Sequence, residues 1–178
     1  MDQYLERLQQ AIASSIRGVT PQDAVRHCDG KWSIAEILEH LYLTYTGTTK
    51  GCERSLQGTL ARSAPTLKQR LSTVVVVTCG HMPTGRKASE RNSPKGLPAE
   101  QVLTAIGPQI ATMDAALTRC LEHFGASAKF MNHPVLGPLN VVQWQKFHWV
   151  HGRHHVRQIL KLRENWAQEQ KAPGTPGA

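Results

Sequence analysis

Apolar residues recur along most of the chain at the three- and four-residue spacing of amphipathic helices. The four longest segments with this pattern are residues 2–17, 34–56, 98–124 and 141–166. A fifth segment, residues 66–78, contains four consecutive valines, which suit a strand as well as a helix. We predict a helix there too, because no second strand is evident for the valines to pair with.

Residues at the ends of these segments support the predicted limits. Ser33 followed by Glu36 has the spacing of a capping box, and Asn140 is a candidate N-cap for the last helix. The predicted irregular segments are a turn at Thr20-Pro21, a long basic loop over residues 80–98 and a linker over residues 132–139. Pro and Gly are frequent in the loop and the linker, and they disfavour regular structure.

Five helical segments without an internal repeat predict an all-α bundle with one hydrophobic core. We expect a single domain over residues 1–168, because a chain of 178 residues suits one core better than two. The tail over residues 169–178 is rich in Pro and Gly and has little apolar surface to bury. We therefore predict that the tail is disordered.

Composition narrows the protein class. The longest aliphatic run is far shorter than the roughly 20 residues that a membrane-spanning helix needs. The N-terminus lacks the apolar segment of a secretory signal, so we expect a cytoplasmic protein. The four cysteines are Cys28, Cys52, Cys79 and Cys120. They form no C-x-x-C pair, and we predict that they are reduced thiols, mostly packed in the fold.

Four of the nine histidines fall within residues 148–155 of the last predicted helix. At about 100° per residue, His148, His151 and His155 share the apolar face of that helix, whereas His154 points some 100° away from His155. A buried imidazole needs partners for both ring nitrogens, and a missing partner costs roughly 1–3 kcal/mol. The apolar face therefore carries three side chains that need polar partners.

A divalent metal ion would provide a partner for some of these ring nitrogens. His151 and His155 are four residues apart, which aims two ring nitrogens at one point above a helix. His40, at the edge of the apolar stripe of the second long helix, is a candidate third ligand, and three imidazoles with an open position suit zinc, nickel or a similar ion. The alternative, three core histidines satisfied by carbonyls or waters, remains open. Glu36 and Glu39 could orient His40, although we favour solvated surface positions for both.

Two motifs resemble the DinB/YfiT-like superfamily. Residues 32–41, WSIAEILEHL, are similar to its "W-s-x-x-e-x-l-x-H-l" pattern at the start of the second helix. Residues 151–159, HGRHHVRQI, resemble its "H-x-x-H-H-x-x-Q-i" signature. The segments 133–139, HPVLGPL, and 85–88, GRKA, look like one uncharacterised branch of that superfamily. The resemblance follows the order of the helices over residues 1–166.

This resemblance implies a DinB-like four-helix bundle with an additional short helix or long loop, forming a homodimer. It also implies one divalent metal ion, most simply zinc or nickel, held by His40, His151 and His155. His148 falls outside this triad, and we interpret it as a core residue or a supporting neighbour of the site.

For activity, the resemblance implies a metal-dependent thiol S-transferase that uses a low-molecular-weight thiol, or a metal-dependent hydrolase. The alternative is a non-catalytic, stress-related binding protein on the same scaffold. No Asp or Glu pairs convincingly with the three histidines, so the sequence does not identify a catalytic acid or base.

The charge distribution points to a small anionic partner. Lys and Arg total 21 against 13 Asp and Glu, a formal net charge of +8. The chain shows no helix-turn-helix, zinc-finger or interleaved aromatic pattern, so we do not expect a nucleic-acid binder. Instead the basic residues cluster in the loop, at Arg86, Lys87 and Arg91, and on the histidine-bearing helix. On that helix Arg153, Arg157 and Lys161 lie off the buried face.

Overall fold

The computed structural model describes residues 1–28, 30–58, 64–83, 85 and 88–169. Its elements are α1 Gln3–Ser15, α2 Pro21–Ala24, α3 Ile34–Leu56, α4 Leu67–Thr73, α5 Ala99–Phe124, β1 Met131–His133, β2 Gly137–Leu139 and α6 Val141–Glu169. A π-helical turn, Val74–Thr78, follows α4 directly, and a 3-10 turn, Glu90–Asn92, precedes α5. The prediction of an all-α bundle is confirmed.

Four long helices, α1, α3, α5 and α6, form the bundle. α3 packs mainly along α5, and α1 packs mainly along α6. Their facing apolar stripes meet in one core, whose completely buried side chains include Leu5, Leu8, Leu38, Leu41, Tyr45, Ile110, Met113, Leu117 and Ile159. Full burial of an aliphatic side chain of this size stabilises the fold by about 1.5–3 kcal/mol.

The two helices that carry the candidate site begin at well-defined caps. Ser33 Oγ accepts from the Glu36 N–H at 3.2 Å, and the Glu36 carboxylate accepts from the Ser33 N–H at 2.8 Å. Asn140 and Gln143 make the same reciprocal pair at the start of α6, at 2.9 and 3.0 Å. The predicted caps are confirmed, and they fix where each helix starts relative to its histidines.

The linker over residues 132–139 is not irregular, contrary to the prediction. It forms most of an antiparallel hairpin in which Met131 lies opposite Leu139 and His133 opposite Gly137. Gly137 takes a φ of 74°, which favours glycine where the chain turns back. Among the described residues the sheet has two strands, so both are edge strands, and an edge strand tolerates a proline. The same Pro and Gly that argued against a strand therefore fit this hairpin.

The helix prediction for residues 66–78 is confirmed, but the valines do not continue the α-helix. The Cys79 N–H donates to the Val74 carbonyl at 2.9 Å, five residues back, as in a π-helix. Val76 and Val77 are buried by this turn, whereas Val74 is exposed.

Two boundaries differ from the prediction. A one-turn helix, α2, begins with a capping box where a turn at Thr20-Pro21 was predicted. α6 continues beyond the predicted Trp166 to Glu169, the last described residue. Of the predicted tail over residues 169–178, the first residue is thus helical, and residues 170–178 lie outside the described residues.

All four cysteines are unpaired thiols. Cys52 and Cys120 are buried between α3 and α5, where the Cys120 thiol donates to the Cys52 carbonyl at 3.8 Å. Burial raises the pKa of both thiols, so they pack as small apolar side chains. Among the described residues, no helix has an apolar stretch long enough to cross a lipid bilayer.

Close contact of α6 with α1 and α3 depends on Gly152. A Cβ at this position would overlap Leu8 Cδ1 and lie 3.2 Å from the Tyr45 hydroxyl oxygen. We therefore expect Gly152→Ala to lower the free energy of unfolding by about 1–3 kcal/mol, because the packed core has to shift. Urea unfolding measures this change.

The matched control is Gly47→Ala in α3, where an added Cβ meets no atom within 4 Å. This change is expected to be neutral or to stabilise the helix by up to about 1 kcal/mol. Equal stability of the two variants would contradict the close approach at Gly152.

Candidate metal centre

Three histidine rings meet where α3 faces the middle of α6. His40 comes from the second turn of α3, and His151 and His155 come from successive turns of α6. The Nε2 atom of His151 lies 3.2 Å from Nε2 of His40 and 3.1 Å from Nε2 of His155. One ring nitrogen of each residue lies within 4.8 Å of the other two. The structure thus brings together the three histidines singled out in the sequence, in an arrangement compatible with a metal site.

Hydrogen bonds fix the tautomer of two of these rings. His40 Nδ1 donates to the Asn92 carbonyl at 2.8 Å, because a carbonyl can only accept. His155 Nδ1 donates to Gln158 Oε1 at 2.7 Å. Each neutral ring carries one proton, so the Nε2 atoms of both residues have free lone pairs directed into the cluster.

His151 cannot satisfy its neighbours by hydrogen bonding alone. Its Nδ1 is buried and has no partner among the described residues. With the proton on Nε2, His151 donates well to only one of the two facing lone pairs, and Nδ1 lacks a donor. With the proton on Nδ1, that N–H is unsatisfied and three lone pairs face each other. A cation among the Nε2 atoms removes the conflict at the centre of the cluster.

Two of the nitrogen separations in the cluster match a coordination sphere. Zinc–nitrogen bonds of about 2.0–2.1 Å at tetrahedral angles separate two ligand nitrogens by about 3.3 Å. The two short Nε2 separations, 3.1 and 3.2 Å, lie close to that value. The donor set and these two separations are therefore compatible with a divalent ion.

Aromatic rings pack against two of the three clustered histidines. Trp32 packs against His40 with ring centroids 5.2 Å apart, and Phe147 stacks on His151 at 5.5 Å with the planes nearly parallel. Burial lowers the pKa of His155 to about 3 and lowers the pKa values of His40 and His151 in the same direction. All three imidazoles are therefore neutral near pH 7, which is the form that binds metals.

Glu39 is neither solvated nor a partner of His40, contrary to the prediction. Its side chain is almost completely buried, and its carboxylate accepts three backbone N–H groups, from Lys95 at 2.7 Å, Gly96 at 3.0 Å and Leu97 at 3.1 Å. These charge-assisted bonds offset the cost of burying the carboxylate. They also hold the segment after the 3-10 turn against α3, next to the carbonyl that orients His40.

Glu36 likewise does not orient His40, because its carboxylate caps α3 and lies 3.6 Å from His27 Nδ1.

His148 lies outside the cluster, in the core. Its ring is completely buried, and Nε2 lies 3.1 Å from Thr48 Oγ1. The ring packs between Trp144, at a centroid distance of 5.7 Å, and Tyr45, at 5.4 Å. This position agrees with the interpretation of His148 as a core residue.

The basic loop contributes to the site through its backbone. The Asn92 carbonyl binds His40, whereas the side chain of Arg91 is exposed. Arg86 and Lys87, the other two residues proposed to hold an anion, lie outside the described residues.

The sequence assigned no role in the site to Trp32, Asn92 or Gln158, and it did not predict the backbone contacts of Glu39. Trp32 and Gln158 stand inside the two motifs quoted above, so the motifs contained a signal for them. Asn92 acts through its carbonyl and Glu39 binds backbone amides. Such contacts leave no residue pattern in the partner segment.

Comparison with known proteins places the chain in a family. The model of a family described as "Protein of unknown function (DUF1569)" matches residues 6–162, which include all three clustered histidines. Searches of the curated proteins and of the solved structures return no significant match.

The Glu39 contacts can be tested by one substitution. Glu39→Gln keeps the side-chain volume but directs an NH2 group at backbone donors. We expect it to lower the free energy of unfolding by about 1–3 kcal/mol and to speed amide hydrogen exchange at Lys95, Gly96 and Leu97. Glu53→Gln, at an exposed position of the same helix, is the control. Unchanged exchange in the Glu39 variant would contradict this role.

The buried histidines predict how stability depends on pH. Burial lowers the pKa of His148 and of His155 to about 3, and of His133 to about 4. In the unfolded chain histidine has a pKa near 6.5. Below that pH the unfolded chain therefore binds protons that these histidines do not bind in the folded protein. The free energy of unfolding is therefore highest above about pH 6.5 and decreases as pH falls towards 3. Each of these histidines contributes up to about 1.4 kcal/mol per pH unit to this decrease in the free energy of unfolding.

Urea unfolding of metal-free protein at a series of pH values measures this slope. His148→Gln should reduce the slope by about one proton, and His123→Gln, at an exposed position, should not change it. A stability that is constant between pH 6.5 and 4 would contradict the prediction.

Proposed function

The chain belongs to the DUF1569 family, and we propose that it binds one divalent metal ion through Nε2 of His40, His151 and His155. The observation that carries this proposal is the convergence of three Nε2 atoms, two of them deprotonated because Nδ1 donates elsewhere. Fixing Nδ1 in this way orients an imidazole and raises its strength as a ligand.

The proposal includes membership of the DinB/YfiT-like superfamily. The motif at residues 32–41 falls at the start of α3, and the motif at residues 151–159 falls in α6. Their fixed letters have physical roles in the site, because Trp32 packs on His40 and Gln158 binds His155. An all-α bundle with these two motifs on facing helices supports the assignment.

Zinc or nickel is the proposed ion. Three neutral imidazoles suit borderline ions of this kind, whereas magnesium and calcium prefer oxygen ligands. The described cluster contains no carboxylate. Three protein ligands leave a fourth tetrahedral position for a small molecule.

We further propose that the site is catalytic, as a thiol S-transferase that uses a low-molecular-weight thiol or as a hydrolase. A bound divalent ion would lower the pKa of a thiol or a water molecule beside it. Asn92 and Gln158 hold the Nδ1 protons of His40 and His155, so the ligand geometry is set before a substrate arrives. Trp32 and Phe147 pack against two of the three ligand rings and so help to hold them in place.

The proposed biological unit is a homodimer of single domains, residues 1–168, in the cytoplasm. Leu67, Leu71 and Val74 lie exposed at four- and three-residue spacing along α4 and the start of the π-helical turn, an apolar surface that a second copy would cover. Four unpaired cysteines suit a reducing compartment. A small, anionic or thiol ligand is the proposed partner.

Loss of one ligand tests the metal site. Protein purified without an affinity tag is expected to bind one zinc or nickel ion per chain, measured by elemental analysis. His151→Ala should lose this stoichiometric ion, because two imidazoles bind far more weakly than three. His123→Ala is the matched control, since His123 is an exposed histidine on α5, outside the cluster. One tightly bound ion per chain in the His151 variant would refute the site.

The same proteins test the reaction. Metal-loaded protein is assayed with low-molecular-weight thiols plus an electrophile and, separately, with simple esters. Turnover that disappears in His151→Ala but survives in His123→Ala supports a catalytic site. A metal-loaded protein without any turnover supports the non-catalytic binding protein instead.

A further inference from the structure

A cavity of about 330 Å³ lies beside α6, next to the histidine cluster. One wall is the segment after the π-helical turn, including Gly80. The other wall is the flank of α6 that carries Arg153, Arg157, Gln158 and Lys161. The volume is in the range of small-molecule sites in proteins.

This cavity is strongly basic. Arg153, Arg157 and Lys161 follow each other at four-residue spacing and so lie along one side of the helix. No Asp or Glu lines the cavity, and within the described part of the chain none of the three cations forms an ion pair. Three like charges on adjacent turns repel each other, and a bound anion would relieve this repulsion.

One of the three cations is already held in place. Arg153 donates to the Gly80 carbonyl at 2.9 Å, and its guanidinium lies 5.7 Å from the Trp149 ring centroid. This contact ties the two walls together. Arg157 and Lys161 make no hydrogen bond among the described residues and are exposed, so their donors are available to a ligand.

Gln158 connects the cavity with the cluster. It lines the cavity, and its side chain binds His155 Nδ1 at 2.7 Å and lies 3.3 Å from His154 Nε2. On the helix, Gln158 and His154 occupy the sector between the clustered histidines and the two free cations. A molecule that extends from Lys161 past Gln158 would therefore approach the three Nε2 atoms.

We propose that this cavity binds the oxyanion group, a phosphate or a carboxylate, of a small ligand whose other end reaches the metal site. That the other end of the ligand reaches a metal ion rests on the proposed function, whereas the anion site itself does not. Arginine and lysine donors are well suited to both groups. The anion is thereby assigned to the cationic flank of α6.

Titration calorimetry with inorganic phosphate and with malonate tests the proposal, using metal-free and metal-loaded full-length protein. We expect saturable binding of at least one probe, one per chain in both forms, weakening as ionic strength rises. Preference for phosphate indicates a phosphorylated ligand, and preference for malonate indicates a carboxylate. Arg157→Ala combined with Lys161→Ala should lower the affinity roughly tenfold or more.

Lys50→Ala combined with Arg119→Ala is the control, because it removes the same charge from exposed positions outside the cavity. Its affinity should stay within about twofold of the wild type. Absence of binding in the wild type, or equal loss in the two double variants, would overturn the proposal. Probe binding that requires the metal and persists in the double variant Arg157→Ala, Lys161→Ala would also overturn the proposal.

Metal content separates this proposal from the proposed function. The Arg157 and Lys161 variant should keep one ion per chain, which also shows that it is folded. His151→Ala should lose the ion and still bind the probe. Wild-type protein that binds phosphate at the cavity but no metal would refute the proposed function and leave the anion site supported.

Discussion

Buried neutral imidazoles need a partner at each ring nitrogen, and the architecture around the site follows from this constraint. His40 and His155 have an acceptor at Nδ1, and all three rings point Nε2 at a common centre. The rotation of α3 and α6 about their axes, and the position of each along the other, must therefore stay fixed. The capping boxes at Ser33 and Asn140 set where the two helices begin, and Gly152 lets α6 approach the core closely.

One stretch of chain, the 3-10 turn and the residues directly after it, joins this geometry to the stability of the fold. Consecutive residues of α3 bind it in opposite senses, since Glu39 accepts from three of its amides and His40 donates to one of its carbonyls. The carboxylate needs the amides because it is buried, and the ring needs the carbonyl to keep its proton on Nδ1. Loss of either contact would expose the other to water, so we regard the pair as one structural unit.

The sequence predicts the parts of this structure that depend on helical periodicity. A 3.6-residue repeat placed the four long helices, and the same repeat placed His151 and His155 on one face of α6. The hairpin was missed because Gly137 and Pro138 suggest irregular structure until a partner strand is known. The burial of Glu39 was missed for a related reason. Its partners are backbone amides some 56–58 residues away, and any residue other than proline could supply them.

Helical periodicity also explains how one helix can carry a metal site and a cationic cavity. Positions 151 and 155 form one row along α6, and positions 153, 157 and 161 form another, with Gln158 between them. Cations beside a divalent ion disfavour its binding by repulsion, whereas an oxyanion between the two rows is attracted to both. In the proposed complex, metal and anion therefore each strengthen the binding of the other, and by linkage the two effects are equal. The net charge of +8 is then explained in part as the counterpart of a ligand.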